Sequence, residues 1–91
     1  MKHAREDYNR IQDPEGKIPK DEPVFLIRAQ DVTAPAVVRY WVMKAREMGA
    51  APNITKAADA QADAMVQWQR EHGIKIPDMP LVFIKPQADS R

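Results

Sequence analysis

Cysteine is absent from this 91-residue sequence, glycine occurs only three times, and the formal net charge is only +1. Without cysteine, disulfides, Cys-based zinc sites and cysteine nucleophiles are all excluded. The glycines Gly16, Gly49 and Gly73 are too scattered to form a glycine-rich phosphate loop. The near-neutral charge argues against nucleic-acid binding, which usually requires a basic surface. We therefore predict a protein that is not an enzyme and has no cofactor.

The sequence also lacks a long apolar run. No stretch approaches the roughly 20 apolar residues of a membrane span. The N-terminal sequence MKHAREDYNR is charged and no apolar run follows it, so it does not resemble a secretory signal. Together with the missing cysteine, these features predict a cytoplasmic protein that does not contact a membrane.

The length predicts one small domain. Residues 1–23 carry many charges of both signs and are interrupted by proline and glycine, which predicts an irregular arm. We expect a single α+β domain over residues 24–86 and a flexible tail over residues 87–91. A domain of this size buries only about 60–65% of the surface that its unfolded chain exposes, so we also expect a homo-oligomer.

Two short apolar runs have the composition of β-strands. Residues 24–27 follow Pro23, and residues 81–84 lie shortly before Pro86. Continuous runs of β-favouring residues are typical of buried strands, although a short buried helix is the alternative for the first run. The two strands would pair within the chain or with another subunit, and the sequence leaves both arrangements open.

The region between the runs predicts two helices. The first spans residues 34–48, is capped by Asp31 or Thr33, and buries an apolar stripe of Val38, Trp41, Val42, Ala45 and Met48. The second spans residues 54–72 and is capped by Asn53 or Thr55. The short connection makes the two helices antiparallel neighbours. The predicted fold is therefore a small α+β domain in β-α-α-β order, with a helical hairpin packed against two short strands.

Polar residues follow the first predicted strand where the chain enters the helix. Arg28 could grip a phosphate with its planar guanidinium group, while Gln30 and Asp31 could read a base edge or a ribose hydroxyl. The N-terminus of the helix adds a positive partial charge. A purely structural interpretation is open as well, in which Asp31 caps the helix and Arg28 pairs with a nearby aspartate.

A second candidate group lies on the first helix. Arg39, Tyr40 and Lys44 could line the rim of a binding site, in the same chain or across a dimer. Trp41 belongs to the apolar stripe and is expected in the core. Only two histidines are present, His3 and His72, and they are isolated from each other in sequence, so no metal site is predicted.

The run KIPKDEPVFLIRAQDVTAPAVVRYW resembles a family of small hypothetical proteins from tailed phages and prophages. These proteins carry a similar DEPVFLLRAQD segment, followed by a helix with a tryptophan-containing face. The resemblance covers mainly residues 18–41 and, more loosely, the chain to Pro80. It implies a phage accessory protein that acts in the cytoplasm of a bacterial host, where such proteins counter host defence.

The leading functional hypothesis is an anti-defence sponge that sequesters a small anionic ligand, a cyclic nucleotide immune signal, without catalysis. The ligand-binding residues would be Arg28, Gln30, Asp31, Arg39, Tyr40 and Lys44. The alternative is a protein–protein interaction module that inhibits a host factor, or a minor virion component. Nucleic-acid binding through exposed arginine and lysine side chains of the first helix is the weakest of the three hypotheses.

Overall fold

The predicted helical hairpin is confirmed by the computed structural model, which describes residues 2–3 and 13–83. Helix α1 spans Ala34–Glu47 and helix α2 spans Pro52–His72. Strand β1 (Lys2–His3) and strand β2 (Pro23–Val24) form a two-stranded parallel sheet. The chain order is therefore β-β-α-α, and the predicted arm contributes one of the two strands.

Asp31 stabilises the turn that precedes α1. Its Oδ1 atom accepts hydrogen bonds from the Thr33 N–H (2.8 Å) and the Thr33 hydroxyl (2.6 Å). Thr33 occupies the N-cap position, as one of the two predicted alternatives, but neither its side chain nor that of Asp31 makes a cap hydrogen bond to the first turn. The helix ends at Glu47, with Met48 as its C-cap residue, one position earlier than predicted.

Helix α2 begins at Pro52, two residues before the predicted start, and its N-cap residue is Ala51. The prediction that Asn53 or Thr55 caps this helix was wrong. The reason is that Pro52 suits the first helical position, where its missing N–H costs nothing and its fixed φ is already helical. Thr55 instead lies within the helix, 1% exposed, and its hydroxyl donates to the Pro52 carbonyl at 3.2 Å.

The core between the helices is thin. Its buried apolar members are Ala34, Val42, Ala62 and Met65. Trp41 is 49% exposed, so its predicted place in the core was wrong. Successive helical residues are turned by about 100°, so placing Val42 at the centre of the contact leaves the neighbouring Trp41 on the flank.

Charged pairs fix the rotation of α1 against α2. Arg39 contacts Asp63 at 2.7 Å and Asp59 at 3.7 Å, and Arg46 contacts the other oxygen of Asp59 at 2.9 Å. All of these groups are partly solvated, and exposed pairs of this kind typically contribute about 0.2–1 kcal/mol each. They orient the hairpin more than they stabilise it.

In the described part of the chain, the two apolar runs do not pair with each other, which was one of the two arrangements that the sequence left open. Strand β2 includes only the first residue of the run at 24–27, and the adjacent Phe25 is 78% exposed. The second run forms a single antiparallel bridge, between Ile74 and Val82, and its last residue, Ile84, lies outside the described residues. Two short strands alone form only a marginally stable sheet, and each run meets only a short segment of backbone.

The C-terminal segment (residues 73–83) returns along the end of the hairpin. A second bridge, parallel, joins Asp31 to Lys75. This bridge brings the segment against the junction loop, defined here as residues 28–33. In the described part of the chain, neither helix is long and apolar enough to cross a membrane.

Candidate functional site

A cavity of about 130 Å³ lies between the run before α1 and the C-terminal segment. It opens to solvent. Its lining residues come from two parts of the chain that α1 and α2 separate in sequence: Phe25, Leu26, Ile27, Arg28, Gln30, Asp31, Lys75, Pro77 and Asp78. Residues from both segments are needed to form its walls.

Backbone hydrogen bonds hold the two walls together. The Lys75 N–H donates to the Gln30 carbonyl at 2.7 Å, and the Val32 N–H donates to the Lys75 carbonyl at 2.9 Å. Within the junction loop, the Asp31 N–H donates to the Arg28 carbonyl at 3.0 Å and closes a tight turn. These bonds place the Lys75 and Arg28 side chains at the same cavity.

A side chain from α2 also holds the junction loop. The Nε2 atom of Gln69 donates to the carbonyl oxygens of Ala29 and Asp31, each at 2.9 Å. Both acceptors flank Gln30, which lines the cavity. The backbone around Gln30 is therefore fixed from the helix as well as from the C-terminal segment.

The opposite wall of the cavity is a tight turn. The Met79 N–H donates to the Ile76 carbonyl at 2.9 Å, Pro77 follows Ile76, and Asp78 has a positive φ of 64°. Proline at the second position and a left-handed residue at the third are typical of a type II turn. The turn presents Pro77 and Asp78 to the cavity.

The cavity lining combines charges of both signs with apolar surface. Arg28 and Lys75 supply two cations, while Asp31 and Asp78 supply two carboxylates. One oxygen of Asp31 is already engaged by Thr33. Phe25 offers an exposed ring edge or face to the solvent side. Such a lining suits a ligand that carries an anionic group, hydrogen-bond donors and a flat ring.

The structure brings three of the six predicted site residues together. Arg28, Gln30 and Asp31 all line the cavity. The three predicted rim residues lie on α1, outside this lining. Arg39 pairs with acidic side chains of α2, Lys44 contacts Glu47 at 3.2 Å, and Tyr40 is 61% exposed. In one chain, therefore, the two predicted groups occupy separate surfaces.

Lys75 is a lining residue that the sequence analysis did not select. It lies far from Arg28 in sequence and reaches the cavity through the pairing of its backbone with the junction loop. The alternation of apolar and polar residues at Ile74, Lys75 and Ile76 is a short strand-like pattern that could have indicated this pairing. Phe25 was assigned to a buried strand and was missed for that reason.

Among the described residues, no group of three histidine, aspartate or glutamate side chains is placed to hold a metal ion. The two acidic residues of α2 that are spaced by one helical turn, Asp59 and Asp63, are engaged by arginine instead. Comparisons with protein-family models, curated proteins and solved structures find no match to this chain.

Proposed function

We propose that this chain is a phage-type accessory protein that binds a small nucleotide ligand, a cyclic nucleotide immune signal, in the cavity and sequesters it without catalysis. It would act in the cytoplasm of a bacterial host. The proposal combines the sequence resemblance with one structural observation. Arg28 and Lys75, from distant parts of the chain, line the same small cavity together with Gln30.

The chemistry of the lining supports a nucleotide. A phosphate would pair with the guanidinium group of Arg28 and the ammonium group of Lys75, and charge-assisted bonds of this kind are the strong ones. Gln30 has both a donor and an acceptor for a base edge. The exposed ring of Phe25 provides a stacking surface, and Asp31 and Asp78 can accept from hydroxyl or amine groups of the ligand.

The size of the cavity supports a shared site. Pockets that bury most of a drug-sized ligand measure about 300–1,000 Å³. The cavity here measures about 130 Å³, enough for one end of a cyclic dinucleotide. We therefore propose that a second copy of the chain covers the remainder of the ligand. Tyr40 and Lys44, which lie outside the cavity of their own chain, would then line the rim from the second copy.

The surface of α1 supports self-association. Val37, Trp41 and Met48 recur at spacings of four and seven residues and form one stripe, called here the apolar face. Their exposed fractions are 48%, 49% and 85%. The apolar face lies on the flank of α1 opposite to Arg39 and Arg46, which contact α2. Covering it would add to the thin core of the single chain.

Ligand binding should raise the melting temperature of the purified protein. Cyclic di-AMP, cyclic di-GMP and cyclic GMP–AMP form the test panel, with AMP and inorganic phosphate for comparison. At about one hundred times its dissociation constant, a ligand adds about 2.7 kcal/mol to the free energy of unfolding. For a domain of this size that corresponds to a shift of roughly 10–20 °C. If no member of the panel changes the melting temperature, the nucleotide proposal is wrong.

Substituting Trp41→Glu should reduce the oligomer to a monomer, because a charge on the apolar face cannot be covered by a second copy. Sedimentation velocity measures the change, and circular dichroism should show unchanged helix content. Met43→Glu is the matched control: Met43 is 46% exposed and lies about 160° around α1 from Trp41. Equal sedimentation of the wild type and both variants would contradict the proposed role of the apolar face.

The apolar face also supports a second candidate function, a protein–protein interaction module that inhibits a host factor or serves as a minor virion component. In that case a foreign protein would cover Val37, Trp41 and Met48. The two proposals differ in their expectations for the purified chain. A monomer that gives no thermal shift with the nucleotide panel favours the interaction module, whereas an oligomer that binds a cyclic dinucleotide favours the sponge.

A further inference from the structure

Gln69 is placed where it can control the cavity without touching it. It lies on the last turn of α2 and is not a lining residue. Its amide nitrogen carries two hydrogens and uses them on two backbone carbonyls, those of Ala29 and Asp31, at 2.9 Å each. The residue between these two acceptors, Gln30, lines the cavity.

Three consecutive carbonyls of the junction loop therefore accept hydrogen bonds from outside it, two from α2 and one from the C-terminal segment. Those of Ala29 and Asp31 accept from Gln69, and that of Gln30 accepts from the Lys75 N–H at 2.7 Å. In a trans peptide the N–H points opposite to the C=O of the same unit, so the Gln30 N–H is directed away from Gln69. The hydrogen bonds fix this orientation, since a buried or half-buried carbonyl does not give up its donor without cost.

We infer that Gln69 is the positioning residue of the proposed ligand site, because it holds the junction loop so that Arg28 and Gln30 face the same cavity as Lys75. The inference rests on the proposed function. The role of Gln69 differs from that of Asp31. Asp31 makes its hydrogen bonds within the junction loop, whereas Gln69 joins the loop to a second helix. Holding both carbonyls from one atom requires a side-chain nitrogen with two hydrogens. Among the uncharged side chains, only those of asparagine and glutamine have one.

The test compares Gln69→Glu with Gln61→Glu. The first substitution keeps the shape of the side chain but replaces its two donors by a carboxylate that faces two carbonyl oxygens. The second makes the same change of charge at an exposed position of the same helix. Two quantities are measured in the folded proteins: amide hydrogen exchange at Val32 and Lys75, and the dissociation constants for the three cyclic dinucleotides of the panel.

Gln69→Glu should accelerate exchange at the Val32 and Lys75 amides and weaken binding roughly ten- to hundredfold, whereas Gln61→Glu should match the wild type. Binding relative to the wild type should recover in part at low pH, because a protonated carboxyl regains one donor. A structural role alone would not produce this pH profile in a variant that stays folded.

If the Val32 and Lys75 amides of Gln69→Glu exchange at the wild-type rate, the inference is overturned whatever the ligand, because the loop then does not depend on Gln69. Faster exchange with unchanged affinity would overturn it too, because the loop geometry would not matter for binding. If the wild type binds none of the cyclic dinucleotides, the proposed function is wrong and the inference falls with it. Amide hydrogen exchange distinguishes a wild type that does not bind from a loop that does not depend on Gln69, because the exchange measurement needs no ligand.

Discussion

Gly73→Ala should lower the free energy of unfolding by about 2–4 kcal/mol, more than the same substitution at Gly16 or Gly49. Gly73 has a φ of 105°, and an added Cβ would lie 2.5 Å from the Val82 carbonyl oxygen and 3.0 Å from the Phe83 Cα. Both are backbone atoms, so the methyl group would displace the chain at Val82. That movement would break its hydrogen bonds with Ile74, whose two distances are 2.6 and 2.7 Å.

The expected change in melting temperature is a decrease of roughly 10–30 °C, measured by calorimetry or circular dichroism. Gly49→Ala is the matched control. Gly49 also has a positive φ, 87°, but nothing lies within 4 Å of its added Cβ. Gly49→Ala should therefore show only the cost of a left-handed backbone for a residue with a Cβ atom, about 1–2 kcal/mol. Equal destabilisation by the two substitutions would show that the close approach of Gly73 to Val82 is unimportant.

Arg28→Ala should weaken the binding of a cyclic dinucleotide by roughly 10- to 100-fold, because it removes charge-assisted hydrogen bonds to phosphate. Lys75→Met keeps most of the side-chain stem and removes only a point charge, so a loss of about tenfold is expected. If the two cations act independently, the double variant should lose roughly 100- to 1,000-fold. Isothermal titration calorimetry at constant salt measures all three dissociation constants.

Lys56→Met is the control for these variants. Lys56 is exposed on α2 and is not a lining residue of the cavity, so its loss changes the net charge without changing the proposed site. Its dissociation constant should equal that of the wild type. Binding that survives in the Arg28→Ala, Lys75→Met double variant would place the ligand elsewhere on the protein.

The helical hairpin could be predicted because its determinants are local. Pro35, the three- and four-residue spacing of apolar residues, and the glycines that follow each helix are all readable within one window of sequence. The rotation of α1 was not predictable in the same way. It depends on which residues of α2 face Arg39 and Arg46, and that choice left Trp41 on the flank.

The strands were mispredicted because an apolar run does not specify its partner. The run at residues 24–27 has the composition of a buried strand, yet its described partner is only the two-residue strand β1. Its later residues, Leu26 and Ile27, line the cavity instead of extending a sheet. Pairing over long sequence separations is set by the assembled fold, which a window of sequence does not contain.

Three of the nine lining residues of the candidate site could be predicted for a related reason. Arg28, Gln30 and Asp31 are close in sequence, so the strand-to-helix junction alone groups them. Lys75 reaches the same cavity only through the bridge between the junction loop and the C-terminal segment. Gln69 depends on the length and direction of α2, and nothing local to WQREH distinguishes it from the exposed glutamine two residues earlier.

We expect the two walls of the cavity to join only after the hairpin that separates them in sequence has formed. Hairpin contacts between neighbouring helices assemble rapidly, whereas contacts between distant segments must first overcome the entropy of closing the intervening loop. We therefore expect the proposed ligand binding to be the last property gained on folding. We also expect it to be the first lost on heating, because hydrogen bonds in loops with few buried contacts generally open at a lower free energy than helices. Ligand-binding activity should disappear while the helix signal in circular dichroism is still native.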